Sequence, residues 1–159
     1  MRSRSPRSAE DRVRAVLYLN GLRGEDLDDA LQEVRTKTLE RPPRDVDAVG
    51  RWQAVVAVRV AMDHHRRRAR ELATIERMYA AGPAGVTGDR DVVLREVIAR
   101  GLAELDPDWR AVVVLRFYED RSLEQIADDL QLPLGTVKSR LHRAVKQLRE
   151  ALPREEVRT

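Results

Sequence analysis

The sequence predicts an all-α chain of two small helical domains joined by a flexible linker, the C-terminal one a helix-turn-helix. Three observations carry this reading. Apolar residues recur at spacings of three and four, and the strict alternation of a half-buried strand is rare. Glycine and proline concentrate in one stretch, Ala80 to Gly88, which holds three Gly and one Pro in nine residues. The chain then closes on a short capped helix, a tight turn and a longer two-faced helix, in the order of a helix-turn-helix.

The chain is 159 residues long, room for one compact domain or two small ones. Residues 1–12 read as a loose tail, basic and polar, with no apolar stretch behind them to make a secretory signal. Val13, Val16, Leu17 and Leu19 suggest a short helix stopping at Asn20-Gly21. A second helix is expected from about Glu25 to Leu39, with Leu27, Leu31, Val34 and Thr38 on one face, ended by Pro42-Pro43. After a loop, a long helix carries Trp52, Val55, Val56, Val60 and Met62 into the block Arg66, Arg67, Arg68 and Arg70. These elements make a first domain over 13–72.

Residues 73–90 are expected to be the linker, because Gly and Pro there defeat regular structure. The second domain, 91–152, opens with a helix from about Asp91 to Leu105. Asp106-Pro107 offers an N-cap followed by proline at the first helical position. The helix it starts carries Trp109, Val112, Val113, Leu115 and Phe117 to about Glu119, and Trp52, Trp109 and Phe117 are expected in the core. Ser122-Leu-Glu-Gln125 has capping-box form and begins a short helix to Leu130. A turn of Gln131 to Leu134 leads into a last helix from about Gly135 to Leu152. Residues 153–159 read as a second tail, and no internal repeat is evident.

Composition narrows the function. Charged residues make up 36% of the chain, for a net +3, and every basic residue except Lys37, Lys138 and Lys146 is Arg. A GC-rich genome accounts for much of that bias, yet the guanidinium fork also suits phosphates and guanine edges. The signs are segregated. Acidic residues gather at Asp26, Asp28, Asp29 and Glu33 and at Glu124, Asp128 and Asp129, and basic ones at Arg66–Arg70 and Lys138–Arg149, which suits more than one partner. The absence of cysteine excludes disulfides, thiolate zinc sites and cysteine nucleophiles, and fits a cytoplasmic setting. No apolar run approaches the roughly 20 residues of a membrane helix, so no membrane partner is expected. With no glycine-rich phosphate loop, nucleophile elbow or paired carboxylates, the chain is not expected to be an enzyme, and no cofactor is expected. His64-His65 beside Asp63 lacks a spaced third ligand, so it reads as a solvent-facing pair rather than a metal site.

The last helix carries the functional argument. At about 100° per residue, Val137, Leu141, Ala144, Val145 and Leu148 share one side. Ser139, Arg143, Lys146 and Glu150 lie opposite, with Thr136, Arg140 and His142 on the flanks. Such a helix can dock its apolar stripe on Ile126 and Leu130 and offer Thr136, Lys138, Ser139, Arg140, His142, Arg143 and Lys146 to a major groove. A solvated basic face closing an ordinary bundle remains the alternative from periodicity alone.

The run Leu102–Leu130, followed by Gly135-Thr-Val-Lys-Ser-Arg-Leu-His-Arg-Ala144, resembles the fourth conserved region of bacterial sigma factors. The second string is a specific signature of their extracytoplasmic-function group. The resemblance covers residues 98–152 well and implies recognition of the −35 promoter element by this domain. More weakly, Asp26–Val34 resembles the acidic segment of the second conserved region. It implies that Asp28, Asp29, Gln32 and Glu33 contact core RNA polymerase. Trp52, Val56-Ala57, Ala61, Asp63 and Arg66–Arg68 resemble the helix for −10 recognition and duplex opening, and imply backbone contacts for Arg66, Arg67 and Arg68. Arg59 stands where many relatives have Asn, the loop Pro42–Gly50 lacks the aromatics often found there, and the first helix is short; all three bear on −10 recognition. The partners implied are core RNA polymerase and promoter DNA. The resemblance also admits an anti-sigma factor without identifying one. Two other readings stay open at this point: a stand-alone dimeric helix-turn-helix regulator, and a helical module that binds polymerase without opening promoters.

Overall fold

A computed structural model describes residues 8–75 and 90–151, which are helical with short connections. The expected linker falls mostly on 76–89, and that part lies outside the described residues, as do residues 1–7 and 152–159 of the terminal stretches.

Helix α1 (Ala9–Leu19) starts four residues inside the stretch read as a tail, because Ser8 and Asp11 cap it reciprocally. The Ser8 hydroxyl accepts from the Asp11 amide at 3.1 Å, and the Asp11 carboxylate accepts from the Ser8 amide at 3.2 Å. The helix ends as Asn20-Gly21 suggested. The amides of Leu22 and Gly21 donate to the carbonyls of Leu17 and Tyr18 at 3.1 and 3.0 Å, with Gly21 at φ +90°. That conformation favours glycine. Helix α2 (Gly24–Glu40) buries Leu27, Leu31 and Val34 of the face its spacing forecast, adds Ala30, and leaves Thr38 half-buried. A short 3₁₀ turn (Val46–Ala48) leads into α3 (Val49–Ile75). On α3 the deepest residues are Ala54, Ala57, Val58, Val60 and Ala61, small side chains that let α1 and α2 approach closely. Trp52, Val55 and Val56 are only half-buried.

The second block comprises α4 (Arg90–Ala103), α5 (Pro107–Val113), α6 (Leu123–Leu130) and α7 (Leu134–Ala151). Asp106 caps α5, accepting from the Asp108 amide at 2.9 Å with proline behind it. Beyond Val113 the helix widens into a π turn, Val114–Tyr118, closed by the Glu119 amide on the Val114 carbonyl at 3.1 Å. This overturns one expectation. The extra residue in the turn shifts the register, so Val114 and Leu115 stay inside while Phe117 swings out to 66% exposure. Trp109 is likewise half-buried rather than central.

The two blocks are packed against each other. One buried cluster runs from Val13, Leu17, Leu31 and Val58 of the first to Val112, Leu115, Ile126 and Val137 of the second. A smaller one, Leu102, Leu105, Val113 and Ala144, lies under α4, α5 and α7. Among the described residues no helix is long and apolar enough to cross a membrane.

Candidate nucleic-acid interface

The geometry of α6 and α7 is set locally. Ser122 and Gln125 form the expected capping box, at 3.1 and 3.0 Å. Helix α6 ends with the Leu132 amide on the Ala127 carbonyl at 2.9 Å and the Gln131 amide on Asp128 at 3.2 Å, which places Gln131 at φ +53°. A left-handed non-glycine costs on the order of 1 kcal/mol, and the two hydrogen bonds and burial of Ile126 offset it. Pro133 then starts α7, its carbonyl accepting from Thr136 and Val137 at 3.0 and 3.2 Å.

On α7, Val137 and Ala144 are fully buried, with Leu141, Val145 and Leu148 half-buried. The opposite side leaves Lys138, Ser139, His142, Arg143 and Lys146 exposed, and Thr136 half-buried at the rim. The Ser139 hydroxyl donates to the Thr136 carbonyl at 3.0 Å. The Arg143 guanidinium lies 6.0 Å from the centre of the Trp109 ring. Arg140 differs: it is half-buried, its Nη2 lies 3.4 Å from Asp108, and its Nη1 is buried without a partner.

In the first block, Asp28, Asp29 and Gln32 are exposed along α2, with Glu33 half-buried. Asp28 pairs with Arg14 at 3.3 Å. The structure brings together two groups the sequence assigned to different partners. Asp26, Asp29, Glu33, His64, Arg67 and Arg68 line one groove between α2 and α3. Within it Arg67 lies 3.7 Å from Glu33 and Arg68 lies 3.9 Å from Asp26. These exposed pairs are weak and easily exchanged for another partner. Arg66 reaches Asp63 at 3.6 Å and Asp108 at 3.3 Å, and Arg59 donates to the backbone carbonyl of Asp129.

Sequence reasoning missed the polar contacts between the blocks. Arg110, on α5, is 4% exposed. Its Nη2 sits 2.9 Å from His65 Nε2, and its Nη1 reaches the carbonyls of Leu102 and Ala103 only at 3.4 and 3.5 Å. Burial pushes the Arg110 guanidinium down to about 10, and neighbouring Arg23 adds to that, so it stays charged at neutral pH. His65 is not the solvent-facing residue expected. Its Nε2 is also 2.6 Å from the Asn20 carbonyl, and burial lowers its pKa despite that hydrogen bond. His64 sits 3.6 Å from Asp26, and no cluster of metal-ligating side chains occurs among the described residues. An available signal was Arg110 itself, one helical turn before the buried Val113 and Val114.

Comparison with known proteins agrees with this geometry. Residues 101–150 match the family model described as sigma-70, region 4. The ECF RNA polymerase sigma factor SigL of Mycobacterium tuberculosis is 34% identical over 156 residues, covering 92% of this chain and 88% of that protein. RNA polymerase sigma factor SigV of Bacillus subtilis is 31% identical over 139 residues, 84% of this chain and 80% of the relative. The RNA polymerase sigma-E factor of Streptomyces antibioticus is 34% identical over 113 residues, and the match spans 63% of its length. Among solved structures, the sigma factor RpoE of Bartonella quintana, in complex with the anti-sigma factor NepR, superposes with a TM-score of 0.65 at 21% identity. The match covers 90% of this chain and 91% of that one. That likeness shows the fold.

Proposed function

The chain belongs to the ECF family of RNA polymerase sigma factors, and on that premise we propose that it binds core RNA polymerase in the cytoplasm and directs promoter-specific initiation. In this reading α7 recognises the −35 element. Val137 and Ala144 anchor the helix, and Lys138, Ser139, His142, Arg143 and Lys146, with Thr136 at the rim, meet base edges and phosphates. Arg140 joins them once it leaves Asp108. The exposed α2 face of Asp28, Asp29, Gln32 and Glu33 docks on a basic surface of core polymerase. Arg59, Arg66, Arg67 and Arg68 steady DNA near the −10 element, where strands open. The bond-making chemistry belongs to polymerase, and an anti-sigma factor is proposed as a further partner.

The observation that carries the reading is the division of α7 into a buried apolar stripe and an exposed cationic, hydrogen-bonding face. The test is run-off transcription from a genomic promoter library with core enzyme, with and without this chain. Discrete transcripts that require the chain support the proposal. Binding to duplex DNA as a dimer, with no transcripts added to those of core alone, would instead make it a stand-alone regulator.

A further inference from the structure

Two arginines of α7 meet the start of α5 in opposite ways. Asp108 draws Arg140 into an ion pair at 3.4 Å, and that side chain is half-buried. The next residue, Trp109, meets Arg143, whose guanidinium lies over the indole ring, 6.0 Å from its centre. Arg143 itself stays exposed.

The two contacts leave different things free. An ion pair consumes N–H donors along the edge of the guanidinium. An aromatic ring attracts the charge and face of the group and leaves its donors available for a base edge or a phosphate. Trp109 is placed to do this because the core fixes it. It is half-buried and packs against the cluster of Leu102, Leu105, Val113 and Ala144. Ala144 is the residue after Arg143, so the indole bridges the apolar stripe of α7 and its cationic face. A free arginine side chain samples many rotamers, and fixing it on DNA costs entropy. A ring that narrows its range beforehand removes part of that cost.

We propose that Trp109 is a positioning residue for DNA readout: it orders the Arg143 guanidinium before contact, so that Arg143 reaches the duplex with its donors free. The inference rests on the proposed role of the α7 face in −35 recognition, and it specifies how one side chain of that face is aimed. Trp109 acts through Arg143 and makes no DNA contact of its own.

A double-mutant cycle provides the test. The full chain is loaded on core RNA polymerase, and its affinity for a duplex selected from a randomised pool is read by fluorescence anisotropy, below the melting temperature of every variant. Trp109→Leu keeps an apolar side chain on the core cluster and removes the ring, and Trp109→Phe keeps a smaller ring. Trp109→Leu should weaken binding about two- to fivefold, the range that an exposed cation–π contact supports, with Trp109→Phe between it and the parent. In an Arg143→Ala background the same two substitutions should change nothing. Equal losses in both backgrounds would overturn the proposal, since Trp109 would then act by supporting the fold or by touching DNA itself. Full affinity in Trp109→Leu would overturn it as well. If Arg143→Ala alone alters neither affinity nor its salt dependence, the DNA-contact reading of the α7 face fails and takes this inference with it. That pattern is distinct from the other two, in which Arg143→Ala weakens binding.

Discussion

Replacing Arg143 with alanine isolates the contribution of the exposed α7 face. Among the described residues its guanidinium makes no hydrogen bond or ion pair; its neighbour is the Trp109 ring at 6.0 Å. At that separation and exposure the stacking is worth at most about 0.5–1 kcal/mol, so the variant should fold with a melting temperature within a few degrees of the parent. Any larger loss then belongs to DNA. If Arg143 reads a base edge, affinity for a promoter duplex selected from a randomised pool falls by about 1–3 kcal/mol, and discrimination at one position relaxes. If it holds a phosphate, affinity falls across all sequences and the slope of log K against log salt shrinks by about one. Fluorescence anisotropy over a salt series separates the two. An unchanged affinity and an unchanged slope would refute the claim that this face of α7 meets DNA. Arg140→Ala would be a poorer probe, because it also breaks the Asp108 contact.

Other outcomes follow from the same geometry. Asp29→Ala with Glu33→Ala should weaken binding to core polymerase, read by competition against a labelled parent chain, while leaving duplex binding intact; equal loss of both would argue against separate duties for α2 and α7. Ile126→Ala, at a site with no exposure, should destabilise the chain by about 2–5 kcal/mol in urea unfolding, and a loss under 1 kcal/mol would mean α6 does not anchor α7. Acidification should act through His65, which faces Arg110 from α5, His64 on its own helix, Asp26 from α2 and the Asn20 carbonyl. Its folded pKa lies below the ordinary 6.5, so the unfolded chain binds more protons. This contribution is therefore full above pH 6.5 and is lost as pH falls below it. Thermal melts of His65→Gln should show less loss between pH 7.5 and pH 5 than the parent; identical losses would remove His65 as the responsible group.

Much of this molecule was legible before any coordinates. Helix periods, the Asn20-Gly21 stop, the Asp106-Pro107 start and the Ser122–Gln125 box are local signals, each resolved within four or five residues of chain. The two faces of α7 follow from the same period, so its exposed Lys138, Ser139, His142, Arg143 and Lys146 were legible too. The Ser8–Asp11 box that extends α1 to Ala9 is a weaker local signal of the same kind, set in a basic, polar stretch.

Tertiary structure decided the rest. A π turn is not written in apolar spacing, and only its register put Phe117 outside. Nor does charge patterning reveal which opposite charges meet. Arg66–Arg68 and the α2 carboxylates looked like two surfaces for two partners, yet packing of α3 on α2 sets them along one groove. The pairings Arg12 with Glu119 and Arg110 with His65 join residues 107 and 45 positions apart. Contacts that distant depend on how helices pack in space, and the sequence specifies that packing only through the whole core at once.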